Sequence, residues 1–210
     1  MAVGRKPVHS RESFVAAALQ LADKRGIGAV TVRALGAEVG ASATAIYRHF
    51  PTKEALISAV QEELLAQVGK AWVSDADPIE SFVNLGRALR AVAQRHPTLG
   101  QVLLIAIPSD AGPNPMSSLI VALLEQLGVT GERLVVGYRQ LETLAIGSAI
   151  FDFGGAPTHL SDRRQRMNTL GHPDFTRHLN NDQAVARIND QAFDATLRHV
   201  VRDLAQPHAD

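Results

Sequence analysis

The chain contains no cysteine, which rules out disulfides, thiolate nucleophiles and thiolate metal sites. Its apolar runs are short. Val102 to Ile107 is among the longest, far below the roughly 18 residues needed to cross a bilayer, and the N-terminus lacks an apolar export core. A soluble, cytoplasmic protein with no membrane partner is expected. Catalytic signatures are missing too: there is no His-Glu-x-x-His, no Gly-x-Ser-x-Gly and no glycine-rich phosphate loop after a strand. His96, His159, His172, His178, His199 and His208 show no ligand spacing. An enzyme is therefore disfavoured, and neither metal nor cofactor is expected. Strand-like alternation and internal repeats are also absent, which predicts an all-α fold.

What remains is ordinary globular composition, 46% hydrophobic and 20% charged over 210 residues, enough for one large or two small domains. The net charge of zero conceals an asymmetry. Residues 1–53 carry eight Lys or Arg against three acids, whereas residues 54–210 carry thirteen bases against eighteen acids. A basic head on an acidic body suits a protein that meets a polyanion at one end, although chance scatter of solvated charge produces such a split as well.

Helical periodicity divides the chain. Residues 1–9, with Arg5, Lys6 and Pro7, read as a flexible basic arm. Ser10 or Ser13 can cap a first helix with Phe14, Ala17, Ala18 and Leu21 on one face, stopped by Gly26. Thr31 can cap a short helix carrying Val32, Leu35 and Val39, and Gly40 permits a sharp turn. Ser42 then caps a second short helix. Ala43, Ile46, Tyr47 and Phe50 are expected inward there, with Thr44, Ala45, Arg48 and His49 outward. Thr52 caps a helix from Lys53 to about Trp72. Two short helices joined by a glycine turn form the device that presents a helix to the DNA major groove.

This segment also resembles a known family. Tyr47 to Leu56, Tyr-Arg-His-Phe-Pro-Thr-Lys-Glu-Ala-Leu, is similar to the signature of the tetracycline-repressor (TetR) regulators. Thr31 to Gly40 and the helix from Ser13 to Arg25 fit the same pattern, so the resemblance covers about residues 10–60. It implies a dimeric, all-helical repressor of double-stranded DNA, acting at a near-palindromic operator and released by an unknown small-molecule effector. The expected organisation is the arm at 1–9, a DNA-binding domain at 10–70 and an effector-binding and dimerisation domain at 71–210. Carried over by position, Tyr47 and Lys53 become phosphate anchors and Arg33, Thr44 and Arg48 base readers. Thr31, Ser42, Ala43, Ala45 and His49 complete the expected DNA face, the alanines offering methyl contacts.

The second domain reads as further helices. One starts at Asp77-Pro78 and ends before His96-Pro97, and a shorter one runs from Thr98 to about Ile107. A loop at Pro108–Pro115 precedes a helix from Met116 to Leu127. A long helix extends from Thr130 to about Phe153, closed by Gly154 to Pro157. Residues 154–181, including Arg163, Arg164 and Arg166, read as a solvated linker, and a last helix spans about Asn189 to Leu204. Candidate effector-lining residues are Trp72, Phe82, Leu103, Met116, Tyr138, Phe151 and His159, any of which can equally be ordinary core. Leu134, Leu141 and Ala145, with Phe193, Leu197, Val200, Val201 and Leu204, are expected at the dimer interface. Gly137, Gly147, Ser148 and Ala149 would allow close approach there, and packing within one subunit is the competing reading. A helical adaptor that binds partners through these stripes remains the alternative function.

Overall fold

The computed structural model describes residues 9–105, 114–154 and 158–206. Most of the basic arm, most of the Pro108–Pro115 loop, residues 155–157 and His208 lie outside them. The described residues form eleven α-helices and one short 3-10 turn, and no strand occurs among them.

Four helices build the head: α1 (Arg11–Arg25), α2 (Val32–Val39), α3 (Ala43–Tyr47) and α4 (Lys53–Ala71). Each begins on a side-chain cap. Ser10 and Ser13 share a capping box, in which each hydroxyl accepts the other's backbone N–H, at 3.2 and 3.0 Å. Thr31, Ser42 and Thr52 likewise accept the N–H groups of Ala34, Ala45 and Ala55 at 3.1, 3.2 and 3.1 Å. Such caps contribute roughly 1 kcal/mol each, a large fraction of what holds helices this short. Phe14, Leu21, Ile27, Leu35, Ile46, Phe50 and Leu56 are buried together as the head's core, with Val32 and Val39 at its edge.

The helix α4 is 19 residues long, about 28 Å at the α-helical rise. It packs on α1 at one end and on α5 (Pro78–Arg95) and α6 (Leu99–Leu104) at the other. A polar tie joins the same two regions, His96 Nδ1 lying 2.7 Å from Asp23 Oδ2 on α1.

The body adds α7 (Pro115–Gln126), α8 (Gly131–Phe153), α9 (His159–Asn168), α10 (Pro173–His178) and α11 (Asp182–Ala205). Here the structure departs from the sequence reading twice. Residues 154–181 are not merely a solvated linker, because α9 and α10 form within them. Arg163 reaches Asp152 at 2.8 Å and Arg164 reaches Asp182 at 3.2 Å, so the basic cluster is tied to the body. The last helix also starts earlier than Asn189, capped by Asn181, whose Oδ1 accepts the Ala184 N–H at 2.8 Å.

The apolar stripe of α11 meets its own chain. A Cβ on Gly86 of α5 would lie 2.6 Å from Leu197 and 2.7 Å from Phe193, and one on Gly137 of α8 would lie 2.9 Å from Leu204. The bare glycines let α11 settle directly onto α5 and α8. Phe193, Leu197, Val201 and Leu204 are consequently buried within the subunit, as is Leu141. Leu134, Ala145 and Val200 are half-buried at the edge of the same core. The close-approach residues divide similarly: Gly137 and Ala149 are buried and Ser148 is half-buried, while Gly147 is exposed.

Candidate nucleic-acid interface

The turn between α2 and α3 is fixed by two glycines. Gly40 has φ +70°, the left-handed region in which other residues are strained. Gly36, unremarked in the sequence reading, packs against the turn itself. A Cβ there would sit 2.7 Å from the Ala41 carbonyl oxygen, and the Gly36 carbonyl accepts the Ala41 N–H at 3.0 Å. Spacing alone could not flag Gly36, because its neighbour comes from beyond the turn.

The helix α3 is anchored by Ile46 and Phe50, both fully buried and one turn apart. This inner face is narrower than the sequence suggested. Ala43 is exposed and Tyr47 is 49% exposed, although both were expected inward. Consecutive helical positions differ by about 100°, so Tyr47 is carried to the flank of the stripe set by Ile46. Ala45, expected outward, is half-buried, while Thr44, Arg48 and His49 are exposed. The His49 ring lies 5.4 Å from the buried Phe14 ring, which steadies it at the head's surface.

Around α3 lie Thr31 and Arg33, exposed on the α2 side, and Lys53, half-buried in the first turn of α4. The Thr31 and Ser42 oxygens accept capping N–H groups, leaving each hydroxyl hydrogen available to an outside acceptor. Arg33, Arg48 and Lys53 form no ion pair among the described residues, whereas Arg11 pairs with Glu62 and Lys24 with Glu38 elsewhere on the head. Glu12, in the first turn of α1, has its carboxyl held below the usual carboxylate range. Its own backbone N–H is the main cause, followed by the Ser10 hydroxyl and the positive charge of Arg11. Of the ten residues named from sequence, eight are exposed and Ala45 and Lys53 are half-buried, and the cations Arg33, Arg48 and Lys53 are without ion pairs among the described residues. Such a surface can meet phosphates and base edges.

Five of the seven residues named for an effector, Trp72, Phe82, Leu103, Met116 and Tyr138, lie in or against the main core. Phe82 is core. Trp72 donates from Nε1 to the Ser81 carbonyl at 3.0 Å, and the Tyr138 hydroxyl donates to Ser117 Oγ at 2.9 Å. Leu103 and Met116 pack on the core's edge. Phe151 lies under Arg163, and the His159 ring lies 6.1 Å from the Phe153 ring, both where α8 meets α9.

Comparison with known proteins agrees with this geometry. Residues 14–60 match the sequence profile described as bacterial regulatory proteins, tetR family. The nucleoid occlusion factor SlmA of Aliivibrio fischeri is 33% identical over 107 residues, which is 49% of this chain and 55% of that protein. The chain therefore matches about half the length of such curated relatives. Among solved structures, a possible TetR family transcriptional regulator from Streptomyces coelicolor superposes with a TM-score of 0.72 at 23% identity, covering 93% of this chain and 98% of the other. ActR of Streptomyces coelicolor in complex with actinorhodin gives 0.67 at 19% identity, covering 95% and 96%. Residues 14–60 carry the sequence pattern of the bacterial tetR-family regulatory proteins, and the chain as a whole has the fold of solved structures described as TetR family regulators.

Proposed function

We propose that the protein is a homodimeric repressor that seats α3 in the major groove of a near-palindromic operator and is released by a small-molecule effector. The observation carrying this reading is the exposed face of α3 and its end, where Thr44 and Tyr47 project from a five-residue helix, and Arg48 and His49 from the turn that closes it, braced beneath by Ile46 and Phe50. Tyr47 and Lys53 anchor phosphates, and Arg33, Thr44 and Arg48 read bases. With few donors on an alanine-rich helix, methyl contacts and DNA shape supply part of the specificity. Release by a small molecule is supported by the family's ligand-bound relatives, such as the ActR–actinorhodin complex.

One head reads only a few base pairs, and two heads about 34 Å apart multiply the discrimination. With the α11 stripe buried in its own subunit, the surface best suited to a second copy is the hollow lined by Val135, Val136, Arg139, Gln140, Thr143 and Leu144 of α8 with Val200 of α11. Val135 is 61% and Val136 48% exposed, a large apolar surface for helix positions in a free monomer.

The test is a gel-shift titration on the DNA upstream of the protein's own gene. Wild type should form a complex that weakens steeply with salt. Tyr47→Ala and Lys53→Ala should each lose roughly tenfold in affinity on any bound sequence while keeping the wild-type melting temperature. A salt-insensitive complex, or unchanged affinity in both variants, overturns the reading and leaves a helical adaptor in its place.

A further inference from the structure

Basic side chains recur at i, i+4 and i+7 along α9, as His159, Arg163 and Arg166. At helical pitch these share one face, and α9 packs against α8. The guanidinium of Arg163 lies 4.2 Å from the centroid of the Phe151 ring, and that of Arg166 lies 5.1 Å away. Phe151 nevertheless remains 57% exposed.

The charges at this junction do not balance. Asp152 gives one oxygen to Arg163 at 2.8 Å and the other to Arg90 at 2.6 Å. Asp190 adds a bond to Arg90 at 2.7 Å. Two acids thus serve Arg90 and Arg163, and Arg166 has no acidic partner among the described residues. Burial, with the positive charges of Arg166 and Arg90, pushes Arg163 below its usual value despite the pull of Asp152. One turn earlier on α9, His159 Nδ1 is shielded from water and has no hydrogen-bond partner among the described residues. An unmet polar atom of this kind is unfavourable until something bonds to it.

An open aromatic ring next to an unmatched guanidinium and an unpartnered imidazole nitrogen is complementary to a ligand that is flat and negatively charged. We propose that the α8–α9 junction binds a planar aromatic carboxylate, its ring against Phe151 and its carboxylate on Arg166. Arginine presents a fork that matches a carboxylate in two parallel bonds, and its delocalised plane tolerates a stacked ring. An inorganic anion would leave the apolar face of Phe151 uncovered, and a neutral aromatic would leave Arg166 unmatched. The site deepens the effector reading and, as an effector site, rests on it.

Benzoate is the probe, titrated calorimetrically into the full chain without DNA, with benzamide and sulfate as controls. Wild type should bind benzoate at millimolar concentration or below, with neither control competing. Arg166→Gln and Phe151→Ala should each weaken binding at least about tenfold. Arg166 is exposed, so Arg166→Gln should melt with wild type, whereas Phe151→Ala also removes the ring beneath Arg163 and should melt slightly lower; the Arg166 variant therefore carries the test. No benzoate binding, equal binding by the variants, or equal binding of benzamide would overturn the proposal. A gel shift on the same samples separates the two readings. An operator complex without benzoate binding removes only this site, and benzoate binding without any DNA complex removes only the regulator.

Discussion

The buried ionic cluster around Asp152 makes an asymmetric prediction about stability. Arg90 is 6% exposed, held between the Phe153 and Phe193 rings at 4.9 Å from each, and hydrogen-bonded to Asp152, Asp190 and Ser148. Asp152 is itself 7% exposed and, among the described residues, the only acid bridging Arg90 to Arg163. Asp152→Ala would leave Arg90 facing Asp190 alone and Arg163 with no acid at all. Breaking a buried pair by removing one partner costs about 3–5 kcal/mol, because the abandoned charge has no water to turn to. For a chain of this size that is a fall in melting temperature of roughly 6–20 °C. Arg90→Met is the contrasting change. Methionine keeps most of the stem between the two rings, Asp152 keeps Arg163, and Asp190, with a side chain 66% exposed, returns to water. The expected loss is then about 1–2 kcal/mol, the size of a few surrendered hydrogen bonds. Urea unfolding of both variants, read by circular dichroism, measures the two losses. Equal losses, or a larger one for Arg90→Met, would refute the assignment of Asp152 as the keystone of the cluster.

Two other outcomes are expected. Val136→Arg should convert dimer to monomer by light scattering with little change in melting temperature, whereas Leu197→Arg, at a site 5% exposed, should fail to fold rather than dissociate cleanly; a folded, dimeric Val136→Arg protein places the interface elsewhere. Glu80 is held below the usual carboxylate value of 4.5, chiefly by its hydrogen bond from Arg198, so its contribution to stability is present above that value and lost as pH falls through the lowered one; thermal melts of Glu80→Gln should therefore differ from wild type near neutrality and converge on it in acid.

The head was legible because its determinants are local. Ser10, Thr31, Ser42 and Thr52 each stand three residues before the N–H they accept, and Gly40 ends α2 in the one conformation that its residue type permits freely. Short-range chemistry of this kind is written in order along the chain. The misplacements of Ala43 and Tyr47 arose where five residues are too few to define a face by period. Only the packing of Ile46 and Phe50 against Phe14 and Leu35 decides which direction is inward.

The body was less legible for two distinct physical reasons. The helices α9 and α10 bury no residue, so no apolar period announces them. The helix α9 is held by charges and rings, Arg163 on Asp152 and Phe151 above all, pairings that no helical period marks. The stripe on α11 was seen, but a stripe states only that a partner exists. The partner is named by Gly86 and Gly137, whose missing side chains let Phe193, Leu197 and Leu204 descend onto α5 and α8. Gly137, read as permitting one subunit to approach another, lets Leu204 of α11 settle against its own chain.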